Sequence, residues 1–342
     1  MNNLKSKRIK TLLVVGLGSI GKKHIRILKS FREDISVVAL TSRPSDFIDD
    51  PLIFRAVDTL DKAVALAPDA AIVCNPASYH MDVSIPLALK SIPLLIEKPL
   101  SESSSTADKL FKAIDYKNSL VMVGYNLRFS ESLRMFRNLI KSKEIGKIYS
   151  VRSSVGQDLT TWRPDQDYRK SVSSNKSLGG GVLLELSHEI DYLSWIFGPI
   201  RSVFGYSEKV SDLEVDVEDI SHSLIRFKEG LQHNNLVANL SLDFIRQDST
   251  RYCIAIGERG TLIWDGIKGS VKIFQDGNWK VLFKDAEKPD SSYEEELHHF
   301  LDCVENSKTP LIELESSINV LKVIEAIKLS SEKNEVVNID LN

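Results

Sequence analysis

The sequence predicts an α/β fold in two domains: a doubly wound parallel-sheet domain over residues 1–127 and an α+β domain over residues 128–342. A chain of 342 residues is too long for one typical core. Up to about residue 125, short wholly apolar runs alternate with helical patterns, which is typical of parallel strands covered on both faces. From Ile200 to about Phe283, alternating runs separated by Gly-, Asp- or Asn-containing turns predict an open, mainly antiparallel sheet.

The first domain contains six predicted strands with helices between most of them. The strands are short and apolar throughout, and the first helix places Ile20, His24, Ile27 and Leu28 on one face. The predicted strands, in order, are "TLLVVG", "ISVVALTS", "FRAVDTL", "DAAIVCNP", "PLLIEKP" and "SLVMVGYN". Such a series predicts the doubly wound arrangement, in which ligands bind at the carboxyl edge of the sheet.

The second domain begins with a predicted helix, "SESLRMFRNLIKS", and a strand, "GKIYSVRSSVG". A polar segment follows, and then one continuous helix is predicted over "VLLELSHEIDYLSWIFG". Two further helices, "SYEEELHHFLDCVEN" and "ESSINVLKVIEAIKLSSEK", come after the alternating strands. We expect these helices to cover one face of the second sheet.

The composition indicates which classes of partner to exclude and in which cellular compartment to expect the protein. The net charge of −3 and the lack of basic stretches argue against nucleic acid or an anionic membrane as the main partner. Cys74, Cys253 and Cys303 are far apart and form no CxxC, so neither a disulfide framework nor a zinc site is expected. No apolar run approaches the roughly 18 residues of a membrane helix, and we expect a cytoplasmic protein.

The stretch "LLVVGLGSIGKKH" carries the spacing G-x-G-x-x-G between a predicted strand and a predicted helix. Gly16 permits the tight turn, Gly18 lets the backbone approach a pyrophosphate, and Gly21 lets the helix pack closely on the sheet. The backbone of Ser19 and Ile20 would then meet the pyrophosphate at the helix N-terminus. This pattern predicts a Rossmann dinucleotide site, although a plain glycine-rich turn is the alternative.

The end of the second strand, "VVALTSR", bears on the choice of cofactor. An NAD enzyme usually has Asp or Glu there to bind the ribose hydroxyls, whereas this chain has Thr41, Ser42 and Arg43. Two hydroxyls and a guanidinium suit a 2′-phosphate. The sequence therefore predicts NADP as cofactor, with NAD as second choice; the alternative is that Arg43 is only a solvated loop residue.

One series of motifs runs along nearly the whole chain: "GLGSIGKKH", "NPASYH", "EKPL", "VGYNLRF" and "GGGVLLELSHEID". In this series the sequence resembles the Gfo/Idh/MocA family of NAD(P)-dependent oxidoreductases, which act mainly on sugars and cyclitols. The resemblance implies that Lys98 is catalytic and that Glu97 orients Lys98 or contacts the cofactor. It also implies a cis Lys98–Pro99 bond. A lysine suits this role because its ammonium can stabilise the negative charge that develops on a substrate oxygen.

The stretch "ELSHEID" supplies the second half of the expected site. Glu185, His188 and Asp191 are spaced i, i+3, i+6, so that neighbours would face each other on one helix. The resemblance implies that His188 is a general acid/base. The family often shows D-x-x-x-H-x-x-D, so the first carboxylate, Glu185, departs from the pattern in type and spacing. We expect no metal site, because hydride chemistry accounts for these residues.

Other candidates are polar or aromatic residues at predicted strand ends and in the polar segment. Asn75 and Pro76 close the fourth strand, where the nicotinamide ribose would lie. Aromatic faces stack on sugar rings, and arginines bind carboxylate or phosphate. On this basis the expected substrate-binding residues, beside Glu185 and His188, are Asn126, Arg128, Trp162, Arg163, Tyr168 and Arg169. The alternative for the segment holding the last four is a surface loop or an oligomer contact.

Together these features predict an oxidoreductase that transfers a hydride between NADP(H) or NAD(H) and a small carbohydrate: a sugar, sugar acid or nucleotide sugar. The segment "TTWRPDQDYRK", together with "ELSHEIDYL", resembles family members associated with bacterial surface-sugar pathways. The family also implies a homodimer or homotetramer formed through the open face of the second sheet. Two alternatives stay open: an NAD-dependent glycosidase of the same family, and a non-catalytic nucleotide-sensing regulator on the same fold.

Overall fold

The computed structural model describes residues 8–114, 119–162, 164, 166–229, 235–284 and 290–340. These residues form two compact units. The first unit consists of the described residues up to Asn126 together with Asp290–Ile318, and the second unit consists of the remaining described residues. Among the described residues, no helix combines the length and the apolar run that a bilayer crossing requires.

The first unit is built on a six-stranded parallel sheet. Its strands are β1 (Thr11–Val15), β2 (Ser36–Leu40), β3 (Arg55–Val57), β4 (Ala70–Val73), β5 (Leu94–Glu97) and β6 (Val121–Gly124). Its helices are α1 (Ser19–Phe31), α2 (Leu60–Ala65), α3 (His80–Ala88) and α4 (Ser104–Ala113). The strand order β3-β2-β1-β4-β5-β6 reverses beside β1, as in a doubly wound fold. All residues of β4, β5 and β6 are buried, as the wholly apolar runs predicted.

The second unit is built on a nine-stranded sheet with helices on one face. Its helices are α5 (Glu131–Lys141), α6 (Val182–Glu185) and α7 (His188–Phe197). Its strands are β7 (Ile148–Gly156), β8 (Ile200–Glu208), β9 (Ile220–Phe227), β10 (Val237–Asp243), β11 (Thr250–Gly257), β12 (Gly260–Asp265), β13 (Ser270–Gln275), β14 (Asn278–Lys284) and β15 (Val337–Asn338). The order is β14-β13-β12-β11-β7-β10-β9-β8-β15, and among these described strands only β7 and β10 pair in parallel. The open, mainly antiparallel sheet is therefore confirmed.

Alternating burial shows which face of this sheet is covered. Along β9 every second residue is buried, while Leu224, between two of them, is exposed. On the covered face, Trp264 Nε1 donates to Ser132 Oγ on α5 at 3.0 Å, and the Tyr192 hydroxyl of α7 lies 2.6 Å from Ser153 Oγ on β7. These bonds satisfy the polar tips of two large buried aromatic side chains.

Helix α8 (Ser291–Asn306) and the first turn of α9 (Leu314–Lys333) depart from the expected division of the chain. The sequence placed 128–342 in one domain, but Asp290–Ile318 belongs to the first unit. The reason is that α8 packs on α1: the His298 ring stacks on Phe31 at 3.8 Å between centroids. Glu305 also accepts a hydrogen bond from the main-chain N–H of Ile9 at 3.0 Å.

The single helix expected over "VLLELSHEIDYLSWIFG" is wrong, because α6 ends at Glu185 and α7 starts at His188. Between them, Ser187 N donates to Leu184 O and Glu189 N donates to Leu186 O, each three residues back. These tight i→i−3 bonds replace one turn of α-helix. Ser187 takes the N-cap position of α7 with a right-handed helical backbone, at φ −63° and ψ −14°.

Candidate active site

The glycine turn after β1 needs glycine at two positions for the chain to pack. Gly16 has φ +88°, and a Cβ there would lie 2.7 Å from the main-chain nitrogen of Asn75. A Cβ on Gly21 would lie 2.0 Å from the carbonyl oxygen of Gly16. Both distances are far inside van der Waals contact, so Gly16 and Gly21 hold α1 close to the sheet.

Gly18 is different, because a Cβ there would meet no heavy atom within 4 Å. Gly18 is the N-cap of α1, and among the described residues no side chain caps this end. The first N–H groups of the helix, from Ser19 and Ile20, have no acceptor within the helix. An open approach to free N–H groups at a helix N-terminus fits the pyrophosphate of a dinucleotide.

Substitution of Gly18 by valine separates ligand binding from folding. Because the new side chain enters open space, we expect the free energy of unfolding to change by at most about 1 kcal/mol. The same side chain would keep a pyrophosphate from the backbone, so the dissociation constant of NAD(P)H should rise at least about tenfold. Urea unfolding and fluorescence titration measure the two effects. Gly21→Ala is the contrasting variant, and it should lose stability; unchanged cofactor binding by Gly18→Val would contradict the assignment.

The end of β2 presents hydroxyls and a guanidinium. Thr41 N donates to Val57 O at 2.9 Å, and Arg43 N donates to Thr41 Oγ1 at 3.4 Å. Ser42 and Arg43 are exposed, and the Arg43 guanidinium makes no ion pair with any described residue. Its charge therefore remains available to an anionic ligand.

Asn75 follows β4 and carries an unused acceptor. Its Nδ2 donates to Tyr79 O at 3.1 Å, while its buried Oδ1 has no hydrogen-bond partner among the described residues. Next to it, Pro76 precedes a short 3-10 turn. A buried acceptor without a donor is costly, and a ligand hydroxyl would satisfy it.

His80 links the turn after β4 to the turn after β5. Its Nε2 lies 2.8 Å from Asn75 O and its Nδ1 lies 3.2 Å from Leu100 O. Burial lowers the pKa of His80, although both carbonyls favour the charged form. His80 thus joins the two loops at this edge of the sheet.

Glu97 and Lys98 stand at the carboxyl end of β5. Lys98 N donates to Glu97 Oε2 at 3.1 Å, so the carboxylate of Glu97 holds the main chain of Lys98. The Lys98–Pro99 peptide is cis, as the resemblance implied. The Lys98 side chain belongs to a half-buried residue, whereas Glu97 is buried. Since β1 and β5 are parallel strands of one sheet, Lys98 and the glycine turn lie at the same sheet edge.

Two acid–base residues near Glu97 were not predicted to take part in a site. His24 Nε2 lies 2.7 Å from Glu97 Oε1, and Glu296 of α8 lies in the same cluster. The detectable signal was a polar residue on an apolar helix face: His24 lies between Ile20 and Ile27, and Glu296 lies beside Leu297. The sequence could not reveal that these faces meet.

In the second unit, Arg128 forms a buried ion pair. Its Nε donates to Asp191 Oδ2 at 2.9 Å and its Nη2 donates to Asp191 Oδ1 at 2.6 Å. The guanidinium also lies 5.6 Å from the centroid of the Trp195 ring. Burial raises the pKa of Asp191, and the charge and hydrogen bonds of Arg128 oppose that rise. Two N–H donors of Arg128 therefore bond Asp191, which fixes the guanidinium inside the second unit, and its expected contact with substrate stays a prediction.

His188 opens α7 and is buried, whereas Glu185 ends α6 and is half-buried. They lie on separate helices and not on one helix face as expected. The preceding glycines allow this path, with Gly179 at φ +84° and Gly181 at φ +108°.

The other expected substrate residues are held in several ways. Asn126 Nδ2 donates to Ser292 Oγ at 2.9 Å, and the Trp162 ring meets Phe244 edge-on with centroids 5.2 Å apart. Arg169 pairs with Asp167 at 2.8 Å and Glu214 at 3.1 Å. The hydroxyl of Tyr168 accepts from Glu214 N at 3.2 Å, and Arg163 lies outside the described residues.

Comparison with protein families matches both units. The model described as "Oxidoreductase family, NAD-binding Rossmann fold" matches residues 10–125. The model described as "Oxidoreductase family, C-terminal alpha/beta domain" matches residues 137–339. The two matches cover most of the chain.

Named relatives are distant in sequence. The rhizopine catabolism protein MocA of Rhizobium meliloti is 23% identical over 190 residues, covering 54% of this chain and 56% of that protein. The inositol 2-dehydrogenase of Salmonella typhimurium is 23% identical over 313 residues, covering 84% of each chain. In the first match the chain thus spans little more than half of its relative.

Solved structures share the fold. Levoglucosan dehydrogenase in complex with NADH superposes with a TM-score of 0.86 and 17% identity, covering 97% of this chain and 100% of that one. The WlbA dehydrogenase from Bordetella pertussis, in complex with NADH and UDP-GlcNAcA, has a TM-score of 0.82 and 18% identity, covering 98% of this chain and 99% of that one.

Proposed function

Because the chain belongs to the Gfo/Idh/MocA family of oxidoreductases, we propose that it transfers a hydride between NADP(H) or NAD(H) and a carbinol carbon of a sugar, sugar acid or nucleotide sugar. One observation carries the proposal: Glu97 fixes Lys98 at the sheet edge that also holds the open glycine turn. A cationic donor at the ligand-binding edge is what an alcohol or carbonyl substrate requires.

In this proposal Gly18, Ser19 and Ile20 hold the pyrophosphate at the N-terminus of α1, and Asn75 accepts from a ribose hydroxyl through Oδ1. A bound nicotinamide supplies the carbon that takes or gives the hydride. The Lys98 ammonium stabilises the negative charge that develops on the substrate oxygen. His188 takes up or returns the proton of that oxygen, because imidazole can change charge near neutral pH.

The substrate class is supported by what the relatives are called and by what their structures contain. The names refer to inositol and levoglucosan, and the WlbA structure contains UDP-GlcNAcA. We therefore test myo-inositol, levoglucosan and UDP-GlcNAcA with each oxidised nicotinamide cofactor, following the absorbance of the reduced form. If the protein binds neither NADPH nor NADH in a fluorescence titration, the proposal fails. Release of free sugar without net cofactor turnover would point to a glycosidase instead.

Arg43 is proposed to select NADP over NAD. A charge-assisted hydrogen bond to the 2′-phosphate contributes about 1.5–3 kcal/mol, so Arg43→Ala should raise the dissociation constant of NADPH roughly tenfold to hundredfold. The affinity for NADH should stay unchanged, since NADH lacks that phosphate. Arg55→Ala, at an exposed position on β3, is the matched control. An equal loss for both cofactors would show that Arg43 does not read the phosphate.

The assembly and location are also proposed. The open face of the second sheet carries exposed apolar side chains at Phe204, Tyr206 and Leu224, which supports a homodimer or homotetramer formed through it. Light scattering coupled to size exclusion measures the mass of the assembly. We place the protein in the cytoplasm, where the nicotinamide cofactors are available.

A further inference from the structure

Three ionisable side chains meet inside the first unit, and we call them the acid cluster: His24, Glu97 and Glu296. Their exposed fractions are 0%, 6% and 0%. One polar atom from each lies within 4.8 Å of the others. They come from α1, β5 and α8, so the cluster joins three elements that are distant in sequence.

Glu296 has no hydrogen-bond partner for either carboxyl oxygen among the described residues. The Nδ1 atom of His24 is also buried without one. An ionised carboxylate with no partner in such a place carries a large desolvation cost. Glu296 must therefore hold either a proton or a cation.

The distances favour a proton. His24 Nε2 and Glu97 Oε1 are 2.7 Å apart, which is a direct hydrogen bond. Two ligands of one tetrahedral zinc, each at about 2.1 Å from the ion, would lie roughly 3.4 Å apart. His24 and Glu97 are thus too close together to be two ligands of one zinc ion, and a proton lies between them. The other ring nitrogen, His24 Nδ1, remains without a donor among the described residues.

The charges around the cluster also favour a neutral Glu296. On α1, the ammonium of Lys23 and the guanidinium of Arg26 pair with Asp290 at 2.8 and 2.6 Å. Tyr293 of α8 meets the His24 ring edge-on at 5.9 Å between centroids. From the other elements, the groups that face the cluster are the thiol of Cys74 after β4, the buried ring of His80 on α3, which the charge of Glu97 reaches, and the backbone of Lys98 after β5.

The directions of two pKa shifts agree with this arrangement. Burial raises the pKa of Glu296 well above its ordinary value, and the charge of Glu97 raises it further. Burial raises the pKa of the Cys74 thiol, and the charge of Glu97 raises it further. The cluster therefore has room for one negative charge, and Glu97 carries it, since Glu97 accepts from both His24 and Lys98 N.

We propose that Glu296 is a positioning residue that stays protonated in the folded protein, so that its neutral carboxyl leaves the negative charge of the acid cluster on Glu97. Glu97 thereby keeps the charge with which it holds the main chain of Lys98. This inference rests on the proposed function only for the importance of Lys98. The protonation of Glu296 itself can be measured without cofactor or substrate.

The sign of the effect on stability follows from linkage. Above the ordinary glutamate pKa, folded Glu296 binds a proton that the unfolded chain has released. Stability is then greatest in acid and falls as the pH rises toward the folded pKa. A glutamine at this position keeps the shape and a hydrogen-bond donor but removes the titration.

The experiment compares Glu296→Gln with wild type by urea unfolding between pH 5 and pH 8. The ratio of the wild-type to the variant unfolding constant should grow by up to about tenfold per pH unit. Glu295→Gln, at the exposed neighbouring position, should show a ratio that stays nearly flat. A flat ratio for Glu296→Gln as well would overturn the proposal.

If Glu296→Gln fails to fold, a second measurement on the wild-type protein tests the proposal. Infrared spectra of wild type labelled with carbon-13 glutamate should contain the carbonyl band of a protonated glutamic acid at pH 8. The absence of that band, or one equivalent of divalent metal in the purified protein by emission spectroscopy, would overturn the proposal. With a turnover assay, Glu296→Ala should lower kcat more than it changes KM, and Glu296→Gln should recover most of that loss. If the cofactor binding fails while the pH effect holds, the proposed function falls and the proton assignment stands.

Discussion

Lys98→Met is expected to lower kcat by about 10²–10⁴-fold, the range found when a charged donor at a reacting oxygen is removed. Methionine keeps the length and apolar stem of the lysine and removes only its ammonium. The main-chain bond from residue 98 to Glu97 does not involve the side chain, so the turn after β5 should keep its form. Initial rates with a substrate found in the cofactor-coupled screen measure the loss.

The affinity for NAD(P)H decides how that loss is interpreted. Because the glycine turn binds the dinucleotide away from the ammonium, fluorescence titration of Lys98→Met should give a dissociation constant close to that of wild type. Lys109→Met, at an exposed position on α4, is the matched control and should keep full activity. A Lys98→Met enzyme with wild-type kcat would remove Lys98 from the chemistry.

Arg128→Met is expected to cost about 3–5 kcal/mol of unfolding free energy, because it leaves the buried carboxylate of Asp191 without its partner. The side chains of Arg128 and Asp191 are 7% and 1% exposed, so water cannot replace the two hydrogen bonds. Chemical denaturation at several pH values measures the change.

The pH dependence of this loss has a definite sign. Burial already raises the pKa of Asp191, and removing Arg128 raises it further. Folded Asp191 then binds a proton that the unfolded chain releases, so the loss should be smallest in acid and grow as the pH rises. Arg201→Met, at an exposed position on β8, is the control. A double variant, Arg128→Met with Asp191→Leu, should recover part of the stability; a loss below about 1 kcal/mol in the single variant would contradict the argument.

The parallel sheet could be predicted because each of its strands has a recognisable local sequence pattern. Each of β4, β5 and β6 is a short run of apolar residues, and burial on both faces follows from that composition alone. The antiparallel sheet was predictable for a similar reason, since alternation along β9 is a local pattern. The glycine spacing and "EKPL" likewise located candidate residues from short stretches.

What could not be predicted depends on contacts between distant stretches. The partner of Arg128 is 63 residues away, and the sequence alone offers no reason to choose Asp191 over a ligand. Glu296 lies 199 residues beyond Glu97 in a helix that had been given to the other domain. The break between α6 and α7 at Leu186 and Ser187 was also not predicted, because apolar residues at helical spacing continue through it. Local periodicity does not report where a chain bends to bury two short helices.

The return of Asp290–Ile318 to the first unit has a consequence for how the protein is made. The edge strand β6 contacts this segment, where Val123 N donates to Ile312 O and Met122 bridges Glu313. The chain emerges from the ribosome N-terminus first, so the strands of the Rossmann sheet are synthesised first. More than 160 further residues must then be added before α8 can cover α1. A gene fragment that stops near residue 127 would yield a nascent sheet with an uncovered helix face. The first unit is therefore the first to begin synthesis, but it is completed only when Ile318 has emerged, shortly before β15 completes the second sheet.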